Sequence, residues 1–184
     1  MIKKMGLKPS ETILLVVDVQ ERLARVMERR EQVEAAISVL IRVAKLHDIP
    51  IILTQQYTKG LGPTVPALSA ELEGVEPVEK IHFSCCGEEP FRHAIDALGR
   101  RKVILTGMEA HICVLQTATD LLDQGYTVHL PWDAVCSRID GNRDAAIRFM
   151  ERAGAIITSS ETAAFQILEK AGTSEFKEIS SLLK

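Results

Sequence analysis

Five short runs of aliphatic and β-branched residues, at 12–19, 49–54, 102–106, 126–130 and 155–158, constrain this chain's fold more than any other feature. Each is continuous rather than alternating, the pattern of a strand buried on both faces. Helical periodicity fills the gaps between them. Val33, Ile37, Leu40, Ile41 and Ala44 share one helical stripe between the first two runs. Val114, Leu115, Ala118, Leu121 and Leu122 form another, which stops at Gly125, a residue suited to a helix C-terminus. Further helices are expected over 142–153, 161–171 and, briefly, 176–183. Strand, helix and strand in repetition predicts a doubly wound α/β fold, because parallel neighbours require right-handed crossovers. The stretch 55–77 contains Gly60, Gly62, Pro63, Pro66, Gly74 and Pro77, so it reads as a long surface loop holding one short helix.

The 184 residues, 46% of them hydrophobic, suffice for a full core and read as one domain spanning 1–184. A net charge of -3 and only 4% aromatic residues argue against nucleic acid and anionic membranes as partners, which leaves a small-molecule substrate. The aliphatic run 13–17 ends at Asp18, far short of the ~20 residues of a membrane span, so a cytoplasmic protein is expected. Cys85, Cys86, Cys113 and Cys136 fit no CxxC zinc pattern and read as reduced thiols.

Ligands of an open parallel sheet bind beyond the carboxyl ends of its strands. That filter selects Asp18 and Gln20 after the first run, Lys80 after Val78 and Glu79, and Cys113 beyond Gly107 at the start of a helix. A helix's first turn favours thiolate over thiol, and a nearby ammonium would add to that. Taken singly, Cys113 reads equally as a small core residue, Asp18 as a turn residue and Lys80 as a solvated charge. His111 reads as pocket lining, and the vicinal Cys85 and Cys86 as loop packing. Gly60 and Gly62 lack the rest of a dinucleotide or phosphate-loop motif, and no GxSxG elbow is present.

Together, Leu14-Leu15-Val16-Val17-Asp18-Val19-Gln20, Glu79-Lys80, the segment from Gly107 to Val114, Gln116-Thr117-Ala118 and Asp133-Ala134 resemble the isochorismatase-like cysteine hydrolase superfamily. Residues 55–65 and 107–116 resemble its isochorismatase-domain-containing subgroup. The resemblance implies a three-layer α/β fold with a six-stranded parallel sheet ordered 3-2-1-4-5-6. It implies a triad of Asp18 as base, Lys80 as thiolate stabiliser and Cys113 as nucleophile, which cleaves an amide or N-carbamoyl C–N bond through a thioester. It implies also a cis peptide at Met108–Glu109, oxyanion donors in the backbone N–H groups of Glu109 and Cys113, and a homo-oligomer. Gln20, Tyr57, Phe83, His111 and Trp132 are the expected substrate-binding residues.

One departure stands out. Where nicotinamidases carry an Asp-x-His metal motif, this chain reads Thr54-Gln55-Gln56-Tyr57-Thr58, so neither a metal nor any other cofactor is expected. The alternatives are an isochorismatase-type C–O hydrolase and a non-catalytic binding protein on the same scaffold. The apolar segment with Ile179, Leu182 and Leu183, unplaced in a sheet already flanked by helices, is the local argument for self-association.

Overall fold

The computed structural model describes residues 5–183, and residues 1–4 and 184 of the expected domain lie outside the described residues. The five apolar runs form strands β1 (Thr12–Val17), β2 (Ile51–Gln56), β4 (Lys102–Met108), β5 (Thr127–Pro131) and β7 (Ile156–Thr158). Two short strands join them, β3 (Val78–Lys80) and β6 (Val135–Cys136). All pairings are parallel, in the order β3-β2-β1-β4-β5-β7, with β6 on β4. With β7 counted as the sixth strand of this path, the order is the one the resemblance implies. The two-residue β6 is too short for any hydrophobic period to announce it.

Helices α2 (Arg30–Leu46), α8 (Ser160–Leu168) and α9 (Ser174–Leu182) cover one face of the sheet. There Leu14, Val16 and Ile104 meet Ile37, Leu40 and Ile41 of α2. On the other face Ile13, Leu15, Val103 and Leu105 pack against α5 (Glu89–Ala97), α6 (Leu115–Asp123) and α7 (Asp140–Ala153), through Phe91, Ile95, Leu121 and Met150. Adjacent residues of one strand thus serve opposite cores. Each fully buried Leu or Ile contributes roughly 1.5–3 kcal/mol, so these central strands, with no polar face, anchor all three layers.

The chain departs from the sequence reading in several places, the unexpected helix α5 among them. The stretch 55–77 begins as the end of β2 and contains two short helices, α3 (Thr58–Leu61) and α4 (Pro66–Glu71), instead of one; a further short helix, α1 (Glu21–Ala24), follows β1. Helix α8 stops at Leu168 because Glu169 takes a left-handed conformation (φ 56°) that ends the helical path. Most consequentially, Ile179 of α9 is fully buried against the core under α2, and Leu183 packs on the same cluster. Ile179 and Leu183 therefore have their partners within the chain, and of the local argument for self-association only the half-exposed Leu182 is left. Among the described residues no helix is long and apolar enough to cross a membrane.

At the centre of the sheet β4 approaches β1 so closely that only glycine fits at position 107. Gly107 pairs with Val17, has φ 123°, and a Cβ there would lie 1.9 Å from the Val17 carbonyl oxygen. Because the obstacle is backbone, no rotamer change relieves it. Gly107→Ala is expected to lower unfolding stability by at least about 3 kcal/mol, read from urea denaturation monitored by circular dichroism. An unchanged midpoint would show that β1 and β4 separate freely.

Candidate active site

The crossovers from β1 to β2 and from β4 to β5 leave in opposite directions, which opens a crevice at the carboxyl ends of β1 and β4. Asp18 is the first residue beyond β1. Its backbone is left-handed (φ 52°), a conformation aspartate tolerates better than most residues, and its N–H donates to the Thr54 carbonyl (3.3 Å). Lys80 ends β3. Cys113 lies in a π-helical turn (Ala110–Val114) between β4 and α6, just past the cis peptide Met108–Glu109.

These three side chains converge. Asp18 and Lys80 are both fully buried, with Asp18 Oδ2 2.7 Å from Lys80 Nζ. Asp18 Oδ1 accepts from the Thr54 hydroxyl (2.7 Å), and Cys113 stands beside the same carboxylate. Lys80 Nζ donates to Gln56 Oε1 (2.6 Å) and to the carbonyls of Phe83 (2.9 Å) and His82 (3.1 Å). The ammonium is thus ringed by oxygen. That is how an apolar interior retains a lysine.

Burial sets the proton balance. It raises the Asp18 carboxyl above the usual aspartate value, against the opposing pull of Lys80 and Thr54. It works against the Lys80 ammonium too, yet the facing Asp18 and the sulfurs of Cys85 and Cys113 hold Lys80 above its ordinary value. For Cys113, burial first and the Asp18 charge second push the thiol up to about 12, with Lys80 only partly offsetting them. The helix-start argument therefore misjudges the resting state. Cys113 is a thiol beside a carboxylate, because the turn that carries it is buried and faces a negative charge. Passing the proton to Asp18 changes no net charge in the trio, and the raised Asp18 value brings that transfer closer to balance.

Cys113 opens onto a cavity of about 100 Å³ lined by Leu23, Gln56, Leu61, Phe83, Glu109, Ile112 and Cys113. Larger hollows exist, including one of about 440 Å³ between α1, α2 and α4, but none of them is lined by Asp18, Lys80 or Cys113. Of the expected substrate-binding residues, Phe83 lines the cavity. The Gln20 amide is engaged elsewhere: it donates to the carbonyls of Gln56 (3.1 Å) and Gly62 (2.6 Å) and accepts from the Gln56 N–H (2.7 Å), tying β2 to the 57–64 loop. Tyr57 is half-exposed with its ring over Gly60, His111 pairs with Ser137 (2.9 Å), and Trp132 lies beneath the Arg143 guanidinium (5.7 Å). These four stand outside the lining. Asp133, part of the sequence motif, accepts from the Ser160 N–H (2.8 Å) and so anchors the start of α8.

Sequence reasoning missed Thr54 and Gln56. Both are set by strand register, which pairs Val17 with Thr54 and Gln56 with Lys80. Leu23, Leu61 and Ile112 carry no chemical signal and join the site only through packing. Cys85 is fully buried with Sγ 3.9 Å from Thr54 Oγ1, at the back of the trio. Among the described residues, no three His, Cys, Asp or Glu side chains gather closely enough to hold a metal ion.

A three-layer parallel α/β sheet with a buried Asp–Lys pair and a cysteine at its switch point defines the class. A family model described as Isochorismatase domain matches residues 12–162, and the chain belongs to this isochorismatase-like hydrolase family. It is 41% identical over 187 residues to the secreted isochorismatase effector Isc1 of Phytophthora sojae, covering 99% of this chain and 89% of that one. Isochorismatase domain-containing protein 2 of Bos taurus is 40% identical over 177 residues, 96% of this chain and 84% of its own length. The solved structure titled MAR1 ribonuclease from Caenorhabditis elegans superposes with a TM-score of 0.90 at 38% identity, covering 97% of this chain and 92% of that one.

The geometry makes Lys80 the structural counter-charge of Asp18. Lys80→Met, which keeps the side-chain length, leaves a buried carboxylate unpaired and is expected to cost about 3–5 kcal/mol in urea unfolding, whereas Asp18→Asn combined with Lys80→Met recovers most of that loss. Additive losses in the double variant would mean that the two groups do not depend on each other.

Proposed function

We propose that the protein is a cysteine hydrolase that cleaves a C–N bond of a small amide through a thioester on Cys113. The observation that carries this reading is the buried Asp18–Lys80 pair at 2.7 Å beside a cysteine that opens onto a cavity.

Asp18 takes the thiol proton and Cys113 Sγ attacks the carbonyl carbon, moving the π electrons onto oxygen. The backbone N–H groups of Glu109 and Cys113 receive that oxyanion, and Asp18 returns the proton to the departing nitrogen. A thioester and ammonia result. Water then yields a proton to Asp18 and attacks the thioester, releasing a carboxylic acid and a thiolate that regains its proton. The sum is amide plus water to acid plus ammonia. The Lys80 charge is balanced at each stage, by the Asp18 carboxylate, the thiolate or the oxyanion in turn. Proton transfer by a positioned base contributes ~10²- to 10⁴-fold, and each oxyanion donor ~10²- to 10³-fold.

The similarity to a Caenorhabditis elegans protein described as a ribonuclease raises RNA as a second substrate class. A cavity of about 100 Å³ in a chain of net charge -3 suits a small neutral amide better than a polyanion. Self-association belongs to this proposal too. Tyr57, Ile81 and Phe83 are exposed, and Phe83 lines the cavity, so they offer apolar surface that a second copy would cover. Light scattering at micromolar concentration decides it, with monomer alone contradicting it.

Cys113→Ala is expected to retain the fold by circular dichroism and to lose ammonia release from small amides by at least about 10³-fold. Asp18→Asn is expected to lose ~10²- to 10⁴-fold. Because Thr54-Gln55-Gln56-Tyr57-Thr58 stands where nicotinamidases carry their Asp-x-His metal motif, EDTA is expected to leave the wild-type rate unchanged. Turnover that survives in Cys113→Ala would sink the thioester route. Thiol-independent cleavage of isochorismate would favour C–O hydrolysis, and Cys113-independent release of nucleotides from RNA would favour the ribonuclease reading.

A further inference from the structure

The geometry points to a substrate class for this site: a neutral primary amide whose acyl group is short, aliphatic and free of polar substituents. The inference rests on the cysteine-hydrolase reading above and adds what the cavity admits. Four of the seven lining residues, Leu23, Leu61, Phe83 and Ile112, present carbon. The polar side chains of the other three are already engaged. Gln56 accepts from Lys80 (2.6 Å) through Oε1 and donates through Nε2 to the Ile81 carbonyl (2.7 Å). The Glu109 carboxylate is held on both oxygens by Arg138, through its backbone N–H (2.9 Å) and Nε (3.1 Å). Cys113 is the reacting group. Only the second N–H of the Gln56 amide and one lone pair of the Glu109 carboxylate are left for a polar group on the acyl portion, and the rest of the lining is carbon.

Charge gives the same answer. The buried ammonium next to the cavity belongs to Asp18, and the Arg138 Nε belongs to Glu109. An anionic substrate would bring a further negative charge against Glu109 without a cation inside the cavity to meet it, and a cationic one would face carbon on four sides. Size closes the argument. A cavity of about 100 Å³ is smaller than the roughly 150 Å³ that seats a benzene ring, so an acyl chain of about three to four carbons suits it. A pyridine ring or a six-carbon chain overfills it.

An isosteric series tests this directly. Isobutyramide, lactamide and alaninamide differ only in a methyl, hydroxyl or ammonium at one position, succinamate adds an anion, and hexanamide and nicotinamide add bulk. Two readouts are taken on the wild-type protein: protection of Cys113 from iodoacetamide, followed by mass spectrometry of its peptide, and release of ammonia. Isobutyramide is expected to protect at concentrations about 10- to 100-fold below those needed for lactamide, alaninamide or succinamate, since each polar group would be buried unpaired. Hexanamide and nicotinamide are expected to protect as poorly, and Leu23→Ala, which widens the cavity, is expected to bring hexanamide level with isobutyramide.

Equal protection by the polar amides would overturn the proposal, as would protection by succinamate alone through the outward Arg138, or no protection by any compound. The broader reading fails differently. If isobutyramide protects selectively but Cys113→Ala hydrolyses amides at the wild-type rate, the cavity chemistry stands and the thioester mechanism does not. If a polar amide is hydrolysed in a Cys113-dependent way while isobutyramide is not, the mechanism stands and the substrate class proposed here is wrong.

Discussion

The buried ion pair between Asp18 and Lys80 is the interaction on which the rest of this site depends. Removing two charges from water costs several kcal/mol apiece, and their mutual attraction repays that only when the remaining donors and acceptors are satisfied. Here they are satisfied by parts drawn from across the sheet: the Thr54 hydroxyl on Asp18, and the Gln56 amide and the Phe83 and His82 carbonyls on Lys80. Those partners arrive only because β1, β2 and β3 stand in register. The same close pairing at β1 and β4 demands Gly107, so the geometry of the sheet and the chemistry of the site share one constraint.

Much of the architecture was legible in the sequence because a parallel sheet covered on both faces must be written in continuous aliphatic runs. All five such runs became strands. The short β3 and β6 were invisible to periodicity, and β6 carries no pattern at all over two residues. The closing helix α9 illustrates a different limit: Ile179 looked surplus because nothing in a linear sequence says that the outer edge of α2 is still uncovered.

The site divides along similar lines. Asp18, Lys80 and Cys113 follow strand ends and match a known motif, so both the position rule and the resemblance reached them. Thr54 and Gln56 gain their importance from the neighbouring strand, and Leu23, Leu61 and Ile112 from packing alone. Gln20 was selected for a strand-end position that the structure uses to bind loop to sheet. The ionisation of Cys113 was misread because a helix start is only one contribution, and the burial that outweighs it exists only after folding. All four cysteines share that burial: Cys85 and Cys136 are likewise pushed up to about 12, and Cys86 to about 11. Cys113 is distinguished by its position between a carboxylate and a cavity, not by resting acidity.

A neutral resting trio, with its proton on sulfur and its carboxylate poised to receive it, is the central claim of this account. The most direct test is the ultraviolet thiolate absorbance of the wild-type protein minus that of Cys113→Ala, followed as pH is raised from about 6 to about 9. With the Cys113 thiol held near 12, the difference spectrum should stay flat across that range. A step of one thiolate appearing below about pH 8 would contradict the account, because Cys113 would then rest as an anion stabilised by Lys80 and would need no proton transfer to Asp18.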